Sequence, residues 1–432
     1  MVNINYQEAL EKVNSRLTFG IKPGLGRIAK LLEHLGNPQN QLKFTHVAGT
    51  NGKGTTCTLM ASVLTESGLK TGLYTSPYVN EFRERFQING EMISEQELAE
   101  CVEKIDTAMK ELEADSDEVT EFEFITAVAF LWFAEKKCDV VVLEVGLGGR
   151  LDTTNVISVP EAAVIMSISL DHTAILGNSI EEITLEKAGI IKKGGTVVLY
   201  PVQQAGVKET IQKVCEEKDA KLIIPDIEGI EIEKSDFSGT KFNIGDSSVY
   251  TPFAGEHQVY NAVTALAALQ EFAANSGHDL KEEDIQKGFS KAEIPARMEV
   301  LSKKPLVMLE GGHNPGCAEA LKNVLKKDCA DKRITAIMGM MADKDVDGVI
   351  ETLAPEFERL ITVSINLPRT IQAELLAEKA KKYCENVYAA SDMHEAASKA
   401  FEGVGEDDMV LVCGSFYLAG EIKPFVEKYL QK

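Results

Sequence analysis

The glycine-rich run Gly49-Thr50-Asn51-Gly52-Lys53-Gly54-Thr55-Thr56 separates an apolar, strand-like segment at residues 44–47 from a helix-like segment. Glycines let the backbone turn its N–H groups toward an anion, and a following helix offers its positive N-terminal end. Lys53 is placed to reach the outer phosphates of a nucleotide. The spacing is unusual because Val47 stands where the first glycine of the common pattern falls, and a further glycine follows the lysine. The run is interpreted as a variant phosphate-binding loop, with a plain glycine-rich turn as the alternative.

Strand-like and helical patterns alternate through the first part of the chain. Apolar runs typical of buried parallel strands lie at residues 44–47, 140–143, 163–168 and 196–199. This alternation predicts an α/β fold with a doubly wound, phosphate-loop-type sheet. Residues 222–249 instead form short alternating segments with turn residues, which indicates a small antiparallel extension.

A second α/β unit follows a break at residues 294–298. Strand-like runs resume at residues 306–309, 334–338, 360–363 and 409–412. The expected organisation is a nucleotide-binding domain over 1–293, a linker over 294–298 and a Rossmann-like domain over 299–432. Ligands of α/β proteins collect at the carboxyl ends of strands and between domains, so the active site is expected in a cleft between the two.

The charge balance limits the class of partner. The chain of 432 residues has 45 basic and 67 acidic residues and a formal charge of −22, which disfavours nucleic acid or an anionic membrane as the main partner. The eight cysteines are scattered without a CxxC pair and are expected to be reduced thiols. There is no basic segment followed by an apolar one at the N-terminus, and no apolar run long enough to span a bilayer. We expect a cytoplasmic enzyme.

Two residues that follow strand-like or apolar segments are candidate ligands for Mg²⁺. Glu144 ends the apolar run at 140–143, where an ionised carboxylate is costly unless it is paired or metal-bound. Carboxylate and phosphate oxygens suit Mg²⁺. A helix-capping or salt-bridged glutamate is the alternative. Ser76 offers a hydroxyl that either ligates the metal or caps a loop.

His172 and Lys187 form another candidate group. His172 follows the run at 163–168, where phosphate-loop enzymes place metal and phosphate groups, so its imidazole is a candidate ligand for a second metal. A single histidine is otherwise structural or exposed. Lys187 is expected in a helix behind that position. An unmodified lysine would be repelled by a metal ion, whereas a carbamylated lysine is an anion able to ligate one.

Polar residues near the predicted linker are candidate nucleotide contacts. Gln258 and Asn261 lie one helical turn apart, so their amides share a face that either holds an adenine edge or caps the helix start. Arg297 offers a planar fork for phosphate. Glu310 and His313 follow the first strand of the second domain and would face the nucleotide, with a surface salt bridge and a lone loop histidine as the alternatives.

Over nearly its full length, and with the motifs in the same order, the chain resembles folylpolyglutamate synthase and dihydrofolate synthase, the folate branch of the Mur ligase superfamily. The resemblance is carried by the glycine-rich run and by Thr75-Ser76-Pro77, Gly148-Gly149-Arg150-Leu151-Asp152, Leu170-Asp171-His172-Thr173, Glu186-Lys187-Ala188-Gly189, Gly255 with His257-Gln258 and Asn261, Gly311 with His313-Asn314-Pro315, Asp343-Lys344-Asp345 and Gly414-Ser415-Phe416-Tyr417-Leu418.

The resemblance implies a role for each matching position. The run Gly49, Thr50, Asn51, Gly52, Lys53, Gly54 and Thr55 binds the phosphates of ATP, and Asn261, Arg297 and Glu310 contact the nucleotide. Ser76, Glu144 and His172 hold two Mg²⁺ ions, which Mn²⁺ can replace. Lys53, Lys187 and His313 are catalytic, and Lys187 is carbamylated. The folate substrate contacts Ile21, Lys22, Pro23, Phe122, Glu123, Leu151, Asp152 and Thr153.

Four positions depart from the usual pattern of that family. The chain has Glu310 in place of aspartate, Gly312 in place of alanine, Tyr78 in place of histidine and Ala296 in place of glycine. Glutamate keeps the charge of aspartate but adds a methylene, so we expect the nucleotide contact at Glu310 to be shifted or replaced.

The reaction implied is the ATP-dependent joining of L-glutamate to the carboxylate of a reduced folate, and of dihydropteroate, through an acyl phosphate, by a monomeric enzyme. The alternatives are a synthase limited to folylpolyglutamates, another Mur-type amide ligase that acts on a nucleotide-linked cell-wall precursor, and a nucleotide-dependent regulator. About 43 residues precede the phosphate-loop strand, too few for the additional N-terminal domain that the cell-wall ligases carry.

Overall fold

The structure is a computed structural model that describes residues 4–20, 22–112, 118–245 and 247–431, without the side chains of residues 111 and 112. The chain forms two compact units. The first comprises Met1–Tyr78, Phe82–Ile230 and Tyr260–Ala292, and the second comprises Val79–Glu81, Glu231–Val259 and Glu293–Lys432. In the described part of the chain, no helix combines the length and the apolar character needed to cross a membrane.

An eight-stranded sheet forms the centre of the first unit. Its strands are β1 (Phe44–Ala48), β2 (Thr71–Tyr74), β3 (Phe86–Ile88), β4 (Glu91–Met92), β5 (Val140–Glu144), β6 (Ala162–Ile165), β7 (Thr196–Leu199) and β8 (Lys221–Ile223). They lie in the order β4-β3-β2-β5-β1-β6-β7-β8. The six strands from β2 to β8 in that order are parallel, and β3 and β4 add an antiparallel edge. The central strands are buried along their whole length, as their continuous apolar runs predict.

Ten helices precede the second large sheet in the described chain. They are α1 (Tyr6–Asn14), α2 (Gly26–His34), α3 (Lys53–Glu66), α4 (Glu95–Leu112), α5 (Glu121–Glu135), α6 (Thr173–Leu176), α7 (Ile180–Ala188), α8 (Val207–Glu217), α9 (Glu256–Ser276) and α10 (Glu282–Lys291). Several begin at side chains that satisfy the first backbone N–H groups: Thr120 with Glu123 caps α5, and Ser179 with Glu182 caps α7. α5 is buried on nearly all sides, which agrees with its apolar sequence.

The second unit contains two sheets. A three-stranded antiparallel sheet is formed by β9 (Glu231–Asp236), β10 (Gly239–Ile244) and β11 (Ser247–Thr251). A six-stranded sheet, in the order β12-β13-β17-β14-β15-β16, is formed by β12 (Glu299–Lys303), β13 (Leu306–Glu310), β14 (Ile334–Met338), β15 (Arg359–Thr362), β16 (Val387–Ala389) and β17 (Met409–Cys413). All but β12 run parallel. Its helices are α11 (Pro315–Asp328), α12 (Val346–Leu353), α13 (Ala373–Ala380), α14 (Met393–Phe401) and α15 (Phe416–Leu430).

The predicted fold class is confirmed: an α/β unit with a phosphate-loop-type parallel sheet is followed by a Rossmann-like α/β unit. One detail differs from the sequence analysis. The strand expected over 163–168 ends at Ile165, because the following residues leave the sheet and bond to the glycine-rich loop. By its contacts the antiparallel sheet groups with the second unit, and its expected place as an extension of the first domain stays a prediction. Periodicity identified these strands but carried no information about their packing partners.

Candidate active site

The glycine-rich loop between β1 and α3 is tied to the loop that follows β6. The backbone N–H of Thr50 donates to the carbonyl of Ser167 over 2.8 Å. The Thr50 hydroxyl donates to the carbonyl of Ser169 and accepts from its N–H, both over 3.1 Å. β1 and β6 are parallel neighbours, so their carboxyl ends place the two loops side by side. The predicted phosphate-binding loop is therefore held in shape by a second loop.

At two glycines of this loop, neighbouring atoms leave no room for a side chain. A Cβ added at Gly49 would lie 2.5 Å from the Cβ of Met166. Gly52, the N-cap of α3, has a φ of +84°, and a Cβ there would lie 2.5 Å from the Oδ1 of Asn261. The structure therefore places the Asn261 side chain, a predicted nucleotide contact, directly against the loop.

Two lysines converge on one carbonyl of the loop. The Nζ of Lys53 donates to the carbonyl of Gly49 over 3.1 Å and to that of Thr50 over 3.3 Å. The Nζ of Lys187, on α7, donates to the same Gly49 carbonyl over 2.8 Å. Burial and the charge of Lys53 lower the pKa of Lys187 from 10.5 to about 7. The Lys53 ammonium and a Lys187 amine of lowered pKa thus meet at one point of the loop, and an anion bound there would relieve the repulsion between them.

Asp171 is a residue near this group to which the sequence analysis gave no role. Its negative charge acts on Lys187 and partly offsets the lowering of the lysine pKa. Asp171 directly precedes His172 in the sequence. A carboxylate next to a candidate metal ligand was the signal that could have identified Asp171 as a site residue.

Glu144, a predicted metal ligand, ends β5 and is only 4% exposed. Its Oε2 accepts a hydrogen bond from the N–H of Ser76 over 3.1 Å. A Cβ added at Gly54, in the first turn of α3, would lie 3.8 Å from the same oxygen. The carboxylate thus faces the start of α3 and anchors the loop that contains Ser76.

The remaining predicted metal ligand, His172, precedes α6 and has a φ of +50°. Its backbone N–H donates to Asp171 Oδ1, and its Nε2 lies 3.9 Å from that oxygen. The four predicted groups lie at the ends of four neighbouring parallel strands. Ser76 follows β2, Glu144 ends β5, the glycine-rich loop follows β1 and His172 follows β6. The sheet therefore brings all four groups to one edge. Within the described ranges, no three His, Cys, Asp or Glu side chains form a ready-made metal site.

The loop that contains the predicted folate residues Leu151, Asp152 and Thr153 is closed by Asp152. Asp152 is buried, and its Oδ2 accepts from the N–H of Leu147 over 2.8 Å. Its Oδ1 accepts from the N–H of Thr154 over 3.0 Å and from the hydroxyl of Thr154 over 2.5 Å. Burial raises the pKa of Asp152, and these hydrogen bonds oppose the rise. The loop is therefore organised around one buried carboxyl group.

Phe122 and Glu123 at the start of α5 have different environments. Phe122 is half-buried, and a Cβ at Gly146 would lie 2.2 Å from its ring, so glycine is required there. Glu123 is 1% exposed, accepts from the N–H and hydroxyl of Thr120, and pairs with Arg27 over 3.0 Å. Its carboxylate is thus engaged in capping α5 and in an ion pair.

The other predicted folate residues lie near α2. Lys22 and Pro23 are exposed, and Ile21 lies outside the described residues. The Lys22 carbonyl accepts from the guanidinium of Arg27 over 2.5 Å. Arg27 therefore links this segment to Glu123, a connection that no local sequence pattern indicated.

His46 is a buried histidine that the sequence analysis did not single out. It lies within β1, and its Nε2 is 2.9 Å from the hydroxyl of Thr154, which in turn donates to Asp152. Burial, with a smaller contribution from Lys192, lowers the pKa of His46 to about 3, so its ring is neutral. A titratable side chain within a mainly apolar strand was the signal that could have identified it.

In the second unit, the predicted site residues Arg297 and His313 lie against Phe416, and Glu310 pairs with Arg297. The guanidinium carbon of Arg297 lies 4.4 Å from the centre of the Phe416 ring, a cation–π contact, and the His313 ring lies 6.2 Å from the same ring centre. The Nη1 of Arg297 is 3.6 Å from Glu310 Oε1. Glu310 is 6% exposed, so the alternative of a surface salt bridge does not apply.

The sequence matches the Mur ligase middle domain over residues 47–269 and the Mur ligase glutamate ligase domain over residues 296–416. It is 35% identical to the dihydrofolate synthase/folylpolyglutamate synthase of Bacillus subtilis, over 97% of this chain and 98% of the relative. It is 33% identical to the folylpolyglutamate synthase of Lacticaseibacillus casei, over the same shares of the two chains.

A solved structure shows the same fold. It is that of Escherichia coli FolC in complex with DHPP and ADP, which superposes with a TM-score of 0.87 at 31% identity, over 100% of this chain and 99% of that one. The chain therefore belongs to the Mur ligase family, in its dihydrofolate synthase and folylpolyglutamate synthase branch.

Proposed function

We propose that this protein is an ATP-dependent ligase that joins L-glutamate to the carboxylate of a reduced folate and to that of dihydropteroate. The observation that carries the proposal is the convergence of Lys53 and Lys187 on the Gly49 carbonyl, beside the buried Glu144. A loop of glycines at a helix N-terminus, together with the Lys53 ammonium, suits a polyphosphate. Membership of a family of ATP-dependent ligases supports the choice of ATP, as does the ADP bound to the E. coli relative.

Each step of the proposed reaction needs a particular kind of group. An acceptor carboxylate is an anion and a poor electrophile, so its attack on the γ-phosphorus of ATP requires cations that neutralise the developing charge. Lys53 and Arg297 supply these. The attack forms an acyl phosphate and releases ADP. The amine of L-glutamate then attacks the acyl carbon, loses a proton and displaces inorganic phosphate, which leaves an amide. His313 is proposed to assist beside the nucleotide.

The donor groups at the sheet edge suit Mg²⁺. Glu144 supplies a carboxylate, Ser76 a hydroxyl and His172 an imidazole, and Mg²⁺ commonly binds one or two protein carboxylates together with substrate phosphates. This fits an edge at which the described side chains form no complete acidic cage. Bound Mg²⁺, or Mn²⁺ in its place, neutralises phosphate oxygens and polarises the phosphorus. We propose that these three residues hold two such ions.

Lys187 is proposed to be carbamylated. A lysine with a pKa of about 7 has a largely neutral amine above neutral pH. That amine can add to CO₂, forming an N–C bond and releasing one proton. The product is an anion, which replaces the repulsion between Lys187 and Lys53 by attraction and provides an oxygen ligand for a metal. Mass spectrometry of the native protein, prepared with and without bicarbonate, measures this adduct directly.

The acceptor is the least constrained part of the proposal. DHPP is bound in the E. coli relative, and the B. subtilis relative is named for both activities, which favours a bifunctional enzyme. The L. casei relative is named a folylpolyglutamate synthase alone, so the monofunctional enzyme is the alternative. The proposed folate contacts are Ile21, Lys22, Pro23, Phe122, Glu123 and the loop residues Leu151, Asp152 and Thr153.

The test is phosphate release from MgATP in the presence of L-glutamate, with dihydropteroate or tetrahydrofolate as acceptor and with each product identified by mass. Turnover of both acceptors supports the bifunctional ligase, and turnover of tetrahydrofolate alone supports the monofunctional one. Lys53→Ala should abolish turnover, whereas Lys193→Ala, at an exposed lysine, should not. Turnover of neither acceptor by folded, ATP-binding protein would refute the folate assignment.

A further inference from the structure

We infer that Glu310 is a positioning residue, which fixes Arg297 and the segment around it and so acts on nucleotide binding through Arg297. The inference rests on the proposed function, because it takes Arg297 as the nucleotide contact. The sequence analysis had placed both residues in contact with ATP.

The carboxylate of Glu310 is occupied by groups of its own chain. Glu310 ends β13, and its Oε1 accepts from the N–H of Gly312 over 2.7 Å. Its Oε2 accepts from the N–H of Met298 over 3.0 Å. The Arg297 guanidinium lies 3.6 Å from Oε1. Both oxygens of this buried side chain therefore accept hydrogen bonds from its own chain, which fixes the carboxylate in place beside Arg297.

The segment that Glu310 holds has a strained backbone. Ala296 and Met298 have φ values of +53° and +47°, in the left-handed region that residues with a Cβ rarely adopt. The Met298 N–H is fixed by Glu310, and the Ala296 carbonyl accepts from Gly311 N–H over 2.7 Å. Arg297 lies between these two residues, so the direction of its side chain depends on both strained positions. Such a conformation persists only when its surroundings enforce it.

The Arg297 side chain is itself held from two sides. Its guanidinium carbon lies 4.4 Å from the centre of the Phe416 ring, and the Glu310 carboxylate provides the opposite charge. A planar cation held against a ring and a carboxylate loses little freedom when it binds a phosphate. Glu310 thus acts on the nucleotide through the orientation of Arg297.

The same geometry links two of the departures from the family pattern. A Cβ added at Gly312 would lie 2.9 Å from Glu310 Oε1 and 2.7 Å from the Cβ of Cys317. Glutamate at position 310 therefore extends into the space that an alanine side chain at position 312 would need. The longer acid and the smaller neighbour form a coupled pair, in place of the aspartate and alanine of the family pattern.

A double-mutant cycle tests the positioning role. The dissociation constant of MgATP is measured by calorimetry, and the KM for ATP by turnover, for the wild type, Glu310→Gln, Arg297→Ala and the double variant. We expect Glu310→Gln to weaken ATP binding on the order of tenfold, and to have no further effect once Arg297 is removed. Glu319→Gln, an isosteric change at an exposed glutamate on α11, should leave binding unchanged. Effects of the two changes that multiply in the double variant would mean that Glu310 acts on ATP binding independently of Arg297, and would overturn the inference.

The coupled pair gives a second test that does not need Glu310→Gln to fold. Glu310→Asp should weaken ATP binding when residue 312 is glycine, and should strengthen it when residue 312 is alanine, because the shorter acid removes one of the two close contacts. An equal effect of Glu310→Asp in both backgrounds would refute the coupling. Because binding of MgATP is measured apart from turnover, failure of the folate ligase assignment would not obscure either result.

Discussion

Lys187 gives a prediction whose size follows from the structure. In the folded protein its pKa is lowered from 10.5 to about 7, by burial first and by the charge of Lys53 second. Between those two pH values the folded protein binds one proton fewer than the unfolded chain, so unfolding takes up a proton. Stability must therefore rise with pH in this window, by about 1.4 kcal/mol per pH unit for one group. Below about pH 7 the lysine is protonated in both states and this contribution to the slope disappears.

The perturbation is Lys187→Met, which keeps an unbranched side chain and removes the titrating amine. The difference in unfolding free energy between wild type and variant should grow by about 2 kcal/mol in favour of the wild type from about pH 7.5 to about pH 9. Urea unfolding in CO₂-free buffer measures it, followed by the fluorescence of Trp132, the single tryptophan, which is buried in α5 of the first unit. This probe reports on the unit that contains Lys187.

Lys193→Met is the matched control, because Lys193 is exposed and its loss should leave the pH dependence of the wild type unchanged. Parallel pH profiles for wild type and Lys187→Met would show that Lys187 keeps its proton in the folded protein. That result would also remove the physical basis for carbamylation, since a protonated amine cannot add to CO₂.

Three further changes test other parts of the site. Gly52→Ala should raise the KM for ATP on the order of tenfold, because the new Cβ displaces Asn261. Gly68→Ala is the control, since Gly68 has a similar φ but open space around it, and it should leave the KM for ATP unchanged. Equal effects of the two changes would point to backbone strain alone. Glu144→Gln should raise the Mg²⁺ concentration needed for half-maximal turnover on the order of tenfold, measured at saturating ATP. An unchanged dependence of turnover on Mg²⁺ would exclude Glu144 as a ligand. Asp152→Ala leaves two backbone N–H groups and a hydroxyl without their acceptor. The free energy of unfolding, measured in urea, should therefore fall by roughly 2–5 kcal/mol, and the KM for the folate acceptor should rise. A fall of less than about 1 kcal/mol would contradict the role given to this carboxylate.

The local parts of the site could be predicted from the sequence. The glycine-rich loop, its lysine and the helix after it are contiguous, and the strands that end at Glu144 and near His172 are short apolar runs. Because the carboxyl ends of neighbouring parallel strands meet at one edge of a sheet, recognising these strands also predicted that their terminal residues gather there.

The environment of Glu123 could not be predicted in the same way. Its contact with the folate stays a prediction, and its carboxylate caps α5 and pairs with Arg27, 96 residues earlier in the chain. Its place in a Thr-x-x-Glu pattern was visible in the sequence, whereas the partner on α2 was not. A capping pattern identifies the start of a helix but not the ion pair that buries its acid.

The sequence by itself determined which segments are strands and helices, that the chain is an α/β protein of two units, and where an anion-binding loop lies, because these depend on residues that are close along the chain. Tertiary structure decided which distant residues meet that loop. Lys187 contacts Gly49 across 138 residues, Asn261 packs against Gly52, and Glu310 fixes Arg297 while requiring glycine at position 312. Hydrophobic periodicity specifies which face of an element is buried. Only the packed structure specifies which residues that face contacts and how far the pKa of each buried group is shifted.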